Sequence, residues 1–289
     1  MNADPTFEAL LDCLRLDHGF DFTGYKRSGL MRRVQYRMQM LQISSVGDYR
    51  KYLEAHPEEF ALLFDTILIN VTGFFRDASA WDYVAAEIVP RIIAGKSESE
   101  PIRVWSAGCA SGQETYTLAI VLAEALGVEQ YDARVQIYGT DVDSDALNQA
   151  RSGSYLSSEV MGIPPALLSQ YFEQASDRHI IRQDLRRSII FCRHNLIQDA
   201  PMSKIDLVVC RNVLIYFNIE AQTRALARFH FGLKDSGFFF LGSAEMLPTH
   251  TNFFTRVDIR HRVFTKVLRS HLNQRLLNRA VGLRQHRDR

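Results

Sequence analysis

The amino-acid sequence predicts an α/β fold: a doubly wound, mostly parallel sheet preceded by a small all-helical domain. Three observations carry this expectation. From residue 102 onward, short apolar β-branched runs alternate with longer amphipathic stretches, the pattern of a parallel sheet with helices on both faces. The first of these runs, Ile102 to Trp105, passes through a loop of small residues into an amphipathic stretch. Residues 1 to about 90, in contrast, read as helical throughout.

In chain order, helices are expected over Thr6 to Leu16, Lys26 to Leu41, Val46 to His56, Pro57 to Ile69 and Ala78 to Ile93, giving a helical domain over 1–93. The polar, Gly/Ser/Pro-containing run 94–101 reads as a linker. The second domain, 102–269, then follows as strand 102–106, helix 113–126, strand 134–140, helix 144–151, strands 189–193 and 205–210, helix 219–233, and strands 237–242 and 263–267. Only a loop-like span separates the last two, which suggests an antiparallel closing hairpin. The tail 270–289 interleaves Arg275, Arg279, Arg284, Arg287 and Arg289 with leucines, and reads equally as a docking helix or a basic extension.

Composition sets outer limits. A chain of 289 residues with 46% hydrophobic content can bury a full core and holds a main domain plus a smaller one. A net charge of +1 gives no bulk argument for nucleic acid or membrane. Cys13, Cys109, Cys192 and Cys210 include no C-x-x-C pair, which argues against zinc and against a disulfide framework and fits a cytoplasmic setting. The chain shows no signal-peptide core and no run near the about 20 apolar residues of a membrane span.

The loop Ser106-Ala107-Gly108-Cys109-Ala110-Ser111-Gly112 carries the chemistry. Its small residues let a ligand approach bare backbone, and the helix from Gln113 directs its N-terminus there. It has neither the Gly-x-Gly-x-x-Gly spacing of a dinucleotide site nor the Gly-Lys-Ser/Thr ending of a phosphate loop, so pyrophosphate is disfavoured. Alone, it could also be a tight turn that binds nothing. The second strand ends in Thr140-Asp141-Val142-Asp143, and an acid at that place hydrogen-bonds ribose hydroxyls in doubly wound folds. Asp141 lies nearer the strand end and is the candidate, while Asp143 or Ser144 suits a helix cap. A ribose-binding acid beside a loop unsuited to pyrophosphate describes S-adenosyl-L-methionine better than NAD.

Four segments, Asn70-Val71-Thr72-Gly73-Phe74-Phe75-Arg76-Asp77, Ser106 to Glu114, Gly139 to Asp143 and Cys210-Arg211-Asn212-Val213-Leu214-Ile215-Tyr216-Phe217, occur in an order that resembles the chemotaxis receptor methyltransferase family, CheR. The resemblance spans roughly residues 5 to 268. It implies methylation of glutamate side chains on the cytoplasmic helices of chemoreceptors, with S-adenosyl-L-methionine as donor and S-adenosyl-L-homocysteine as product. It also implies a Rossmann-like methyltransferase domain with a small antiparallel β insertion, placed here near 171–191. By the same resemblance, Asn70, Thr72 and Arg76 reach the cofactor from the helical domain. Ala107 and Gly108 form its loop, and Glu114 and Asp141 meet its polar ends. Asn195, Leu196, Arg211, Asn212 and Val213 line its adenine and methionine sides, and Tyr216 stands with Arg76 beside the transferred methyl. Taken alone, Asn70 and Thr72 would also serve as a polar helix cap.

The chemistry is consistent with those residue types. A glutamate carboxylate is already anionic at neutral pH, so the site needs positioning and electrostatics, not a strong base. A guanidinium such as that of Arg76 can guide a carboxylate in a planar fork. For the partner, Leu30, Val34, Met38 and Leu41 make an apolar stripe on one helix. Lys26, Arg33 and Arg37 fall within about 40° of one another on its flank, given 3.6 residues per turn. That flank suits an acidic, glutamate-rich helical bundle, or is simply a solvated basic face.

Family members that dock a receptor's C-terminal pentapeptide carry a glycine-rich loop in the insertion. Tyr171 to Leu185 has no glycine and is shorter, so independence of the pentapeptide is expected. Gln113 and Thr115 stand where the family often has an acid and a proline, which predicts local adjustment of the helix start. The expectation is a monomeric cytoplasmic enzyme that acts on chemoreceptor helices, without nucleic acid or membrane insertion. Alternatives are a non-catalytic S-adenosyl-L-methionine-binding adaptor and a methyltransferase for another protein.

Overall fold

Residues 4–248 and 252–268 are described by the structure, a computed structural model. The basic tail 270–289, with its two readings, lies outside them. The described residues form two compact units, one of residues 4–69 with 216–221, the other of 70–215 with 222–248 and 252–268.

The first unit is helical. Helix α1 (Pro5–His18) opens with Asp4 accepting the Thr6 N–H at 2.9 Å and closes at Gly19 in the left-handed region, φ +70. Helices α2 (Arg27–Met40), α3 (Val46–Ala55) and α4 (Pro57–Ile67) follow. Leu30, Val34 and Met38 of the expected stripe are buried, with Phe7, Leu10, Leu14, Tyr49, Leu53 and Leu63. Residues 216–221 complete the unit. Lys26 donates its N–H to the Tyr216 carbonyl at 2.9 Å, and Tyr25 forms a bridge and an edge-on ring contact with Phe217.

One member of the expected basic flank has an internal use. The Arg37 guanidinium forks onto Glu59, Nε to Oε1 at 2.9 Å and Nη2 to Oε2 at 2.6 Å, and the Tyr49 hydroxyl donates to Oε1 at 2.8 Å. Arg37 is therefore withdrawn from the partner-binding set, because a bidentate pair to a carboxylate only 3% exposed leaves no free fork. Burial opposes ionisation of Glu59, but these hydrogen bonds outweigh it and hold the carboxyl below its usual range. Lys26 is exposed and Arg33 half-buried.

The boundary expected near residue 93 moves to Asn70. Helix α5 (Ala78–Tyr83) runs through a π turn, Val84–Ile88, into α6 (Val89–Ala94). Pro90 cannot donate to the ladder, which accounts for the wider turn before it. Trp81, Val84, Ile88 and Ile92 share one face and pack in the same core as Val104, Ile120, Ile137 and Phe240. These helices therefore belong to the sheet unit, and so do Asn70, Thr72 and Arg76.

The run 94–101 is likewise no free linker. Lys96 is buried and binds Asp206 at 3.0 Å, Glu100 at 3.1 Å and the Pro101 carbonyl at 2.7 Å. Arg134 donates to the carbonyls of Ser97 and Glu100. Hydrogen bonds from Lys234 and Lys96 hold the Glu100 carboxyl down at about 2.

The sheet is built from β1 (Ile102–Ala107), then α7 (Gln113–Leu126) and α8 (Val128–Arg134), β2 (Val135–Asp141) and α9 (Ser144–Ser152). After β3 (Ser154–Leu156) come α10 (Pro165–Tyr171), β4 (Phe172–Ala175), β5 (Arg178–Ile181) and α11 (Gln183–Arg186). The chain continues with β6 (Ile189–Arg193), β7 (Ile205–Cys210), α12 (Ile219–Gly232), β8 (Leu233–Leu241), β9 (Phe254–Asp258) and β10 (Val263–Lys266). Strand order is β6-β2-β1-β7-β8-β10-β9, parallel through β8, with β10 antiparallel to both its neighbours. The closing pair is therefore antiparallel as expected, but β9 lies between its strands in sequence and takes the sheet edge. Its partly exposed Phe-Thr-Arg-Val-Asp run gave no clear strand pattern.

The insertion is a separate antiparallel sheet, β3-β5-β4. It begins at Ser154, earlier than expected, and ends at Ile181, since α11 and β6 belong to the main unit. A two-residue turn, Ser176-Asp177, joins β4 to β5, with Ser176 at φ +55 and Ala175 opposite Arg178.

Candidate functional site

The carboxyl ends of β6, β2, β1 and β7 lie side by side, and the loops that leave them carry Asn195, Asp141, Gly108 and Arg211. Ligands of open α/β sheets bind in this place.

The loop after β1 follows from its small residues. Gly108 has φ +77, and a Cβ there would collide with the side chain of Val213. Gly112 has φ +93, and a Cβ there would stand 2.8 Å from the Ala150 methyl. The Gly108 and Cys109 N–H groups both donate to the Thr140 carbonyl, which latches the loop to the end of β2. Helix α7 starts regularly at Gln113, and the Thr115 hydroxyl donates to Ser106 Oγ at 3.0 Å. That bond ties the first turn of α7 to the end of β1.

Asp143 is the helix cap that the sequence suggested, whereas Asp141 is engaged by backbone N–H groups. Asp143 caps α9, its Oδ1 accepting the N–H groups of Asp145 and Ala146, and its Oδ2 accepts from Asn70 Nδ2 at 2.6 Å. Asp141 accepts from the Ala110 N–H at 2.8 Å and from the Asp143 N–H at 3.1 Å. It thus joins the glycine loop to the end of β2, and burial pushes its carboxyl up.

Glu114 lies in the first turn of α7 and is buried. Its Oε2 is 3.5 Å from Arg211 Nη1, and its Oε1 is buried with no hydrogen-bond partner among the described residues. Burial pushes this carboxyl up to about 7; Glu245 adds to that effect, and Arg211 and Arg76 oppose it. Arg211 is an organiser: it donates to Asp77 Oδ2 at 2.6 Å and sits over the rings of Phe240 and Trp81.

The Asn70–Asp77 segment presents a second cation. Phe74 is buried edge-on against Tyr155 and Phe172, and the Phe75 N–H donates to Thr117 Oγ1 on α7. Phe75 and Asp77 both have positive φ, +50 and +60. The turn between these anchors exposes Arg76, whose Nη1 donates to the Val71 carbonyl at 3.0 Å. Thr72 is half-buried in the same turn.

The remaining candidates separate. Asn195 Oδ1 accepts the Ile197 N–H, and Leu196 is buried behind this turn. Tyr216 belongs to the helical unit through its carbonyl bond to Lys26. Sequence reasoning missed two residues, Asp77 and Glu245. Glu245 is 2% exposed and accepts four backbone N–H groups: Val213 and Leu214 on Oε1, Asn212 and Gly242 on Oε2, at 2.7 to 2.9 Å. An acid three residues beyond a glycine at a strand end was its only signal.

Two family models cover the chain: the CheR methyltransferase all-alpha domain over residues 5–68 and the CheR methyltransferase SAM binding domain over residues 70–263. The chain belongs to the CheR methyltransferase family. A chemotaxis protein methyltransferase of Listeria innocua is 33% identical over 253 residues, covering 83% of this chain and 93% of its own. That of Escherichia coli K12 is 30% identical, covering 84% and 85%. A 104.1 kDa protein of Rhodobacter capsulatus is 34% identical over 255 residues, and there the match covers 88% of this chain but only 27% of the relative.

The cofactor of this CheR chain is S-adenosyl-L-methionine. The residues fit it, since a buried unpartnered carboxylate oxygen on Glu114 suits a cationic amino-acid end, and the loop at Gly108 is free of bulky side chains.

Proposed function

We propose that this chain transfers a methyl group from S-adenosyl-L-methionine to glutamate side chains of chemoreceptor cytoplasmic helices, forming methyl esters. The observation that carries the reading is the exposed Arg76 guanidinium, pinned on one side by Val71 and within electrostatic reach of Glu114. The cofactor supplies an electrophilic methyl on a sulfonium.

The protein's residues provide the rest. Glu114, whose Oε1 has no hydrogen-bond partner among the described residues, would hold the ammonium of the methionine end, and Asp141 would hold the ribose hydroxyls. Ala107, Gly108, Asn195, Leu196 and Val213 line the bound cofactor, with Asn70, Thr72, Arg211 and Asn212 holding those walls in place. Arg76 orients the acceptor carboxylate for in-line attack, and Tyr216 is proposed as a second catalytic residue. No side chain has to remove a proton, because the acceptor is anionic. Lys26 and Arg33, without Arg37, supply positive charge for an acidic receptor bundle.

The two-residue Ser176-Asp177 turn leaves no glycine loop on the insertion, which supports recognition independent of the receptor pentapeptide. A cytoplasmic location follows from such a substrate, and no helix among the described residues is long and apolar enough to cross a membrane. The test is transfer of labelled methyl to receptor cytoplasmic fragments with and without the C-terminal pentapeptide. Base-labile label at equal rates on both fragments is expected. Base-stable label would overturn the glutamate assignment, and dependence on the tail would overturn the independence.

A pH dependence follows from Glu114. In the free protein its carboxyl is pushed up to about 7, while a bound ammonium favours the ionised form. Binding below pH 7 must therefore release a proton, and affinity is full above that pH and lost below it. Calorimetry with S-adenosyl-L-homocysteine is expected to show affinity falling by up to about tenfold per pH unit below 7. Glu114→Gln should weaken binding and flatten the profile; an unchanged profile in that variant would remove Glu114 from the ammonium.

A further inference from the structure

The loop that leaves β7 has an improbable shape. Asn212 is in the left-handed region at φ +62, and three successive N–H groups, those of Asn212, Val213 and Leu214, point the same way. A buried row of donors of this kind costs free energy unless something accepts them. One carboxylate does so: Glu245 takes all three, and a fourth from Gly242 at the end of β8. Gly242 has no room for a side chain, since a Cβ there would stand 2.8 Å from the Asn212 nitrogen and 2.9 Å from Glu245 Oε2.

The consequence reaches the other cofactor loop. Val213, fixed by this clamp, fills the space where Gly108 would carry a Cβ. Arg211, one residue before the clamped row, sits at 3.5 Å from Glu114. The β1–α7 loop and the post-β7 loop are thus shaped against each other, and the group that sets the second one stands outside both.

We propose that Glu245 is a positioning residue for S-adenosyl-L-methionine binding: its carboxylate folds residues 211–214 into the conformation that closes against Gly108 and presents Arg211 to Glu114. Both Glu245 oxygens are taken up by backbone donors, so in this proposal it acts on the cofactor through residues 211–214 and not by contact. The inference rests on cofactor binding and not on the acceptor glutamate, so its failure and that of the proposed substrate are separable.

Its charge has a second effect. Glu114 is faced by the cations Arg211 and Arg76, by the Glu245 carboxylate and by the buried thiols of Cys109 and Cys210. Among these Glu245 disfavours ionisation of Glu114, so neutralising it should make Glu114 more acidic.

The experiment compares wild type with Glu245→Gln and Glu245→Asp by calorimetry with S-adenosyl-L-homocysteine and by amide hydrogen exchange. In Glu245→Gln the amide nitrogen faces two donors it cannot accept; in Glu245→Asp the carboxylate keeps its charge but draws back by one methylene. Both are expected to lose about tenfold or more in affinity, with faster exchange at Asn212, Val213 and Leu214. Only Glu245→Gln should move the midpoint of the pH profile of binding downward, a response that a purely structural role would not give. Unchanged affinity in either folded variant would overturn the proposal. Should neither variant fold, the native protein still decides, since the Asn212, Val213 and Leu214 amides are expected to be protected without ligand, and rapid exchange there would overturn the clamp.

Discussion

Arg76→Ala is expected to lower kcat for receptor methylation by about 10²–10³-fold, the range for removing one charge-directed donor from a reaction centre. Affinity for S-adenosyl-L-homocysteine should change by less than about tenfold, because the guanidinium is hydrogen-bonded to the Val71 carbonyl and, among the described residues, to no group of the cofactor loops. The asymmetry follows from geometry. Arg76 is held on a turn anchored by Phe74 in the core and by the Phe75 N–H on Thr117, so it is fixed before substrate arrives. It has no carboxylate partner among the described residues, unlike Arg211, whose fork is already spent on Asp77 and Glu114. A free, pre-placed fork can orient an incoming carboxylate, but it must not neutralise it, since a tight ion pair would dull the nucleophile. Arg76→Lys, which keeps the charge and loses the fork, should fall between the two in kcat. Single-turnover measurements at saturating cofactor separate the steps. An affinity loss as large as the rate loss would make Arg76 a cofactor-holding residue instead.

The sequence showed the succession of strands after residue 102 and the small-residue loop after the first of them, because each rests on local signals. Runs such as Ile205 to Cys210 are buried on both faces and read as continuous apolar segments. The loop at Gly108 shows itself by its run of small residues, and Asp141 by its place at the end of β2. What stayed hidden depends on contacts between distant residues. Trp81, Val84, Ile88 and Ile92 have an ordinary amphipathic spacing, and nothing local says whether the helical bundle or the sheet receives that face. Lys96 lies in a polar Ser/Glu-rich run, and beside its local partners its side chain pairs with the buried Asp206, over a hundred residues away. Glu245 looks like a surface acid until the donors of Asn212, Val213 and Leu214 fold onto it.

Arg37 is the sharpest such case, and it carries the largest stability effect. Its helical phase matched Lys26 and Arg33, yet Glu59, which is 3% exposed, claims it. Glu59→Ala should destabilise the protein by about 3–5 kcal/mol, the cost of leaving one member of a buried pair without its partner. The orphaned Arg37 is only 14% exposed, so water cannot easily replace the carboxylate, and the Tyr49 hydroxyl loses its acceptor as well. The apolar double variant Arg37→Met with Glu59→Leu should lie well above either single variant, because removing both charges also removes their desolvation. The pH response has a definite sign. Hydrogen bonds from Arg37 and Tyr49 hold the Glu59 carboxyl below its ordinary value, so its stabilising contribution is complete above the unfolded carboxylate pKa, near 4.5, and is lost as pH falls through the lower folded value. Chemical denaturation at neutral pH and at about pH 3 should therefore show a smaller gap between wild type and Glu59→Ala under acid. A cost below about 1 kcal/mol at neutral pH would mean that the pair behaves as a surface ion pair, and would return Arg37 to the basic face available to a receptor.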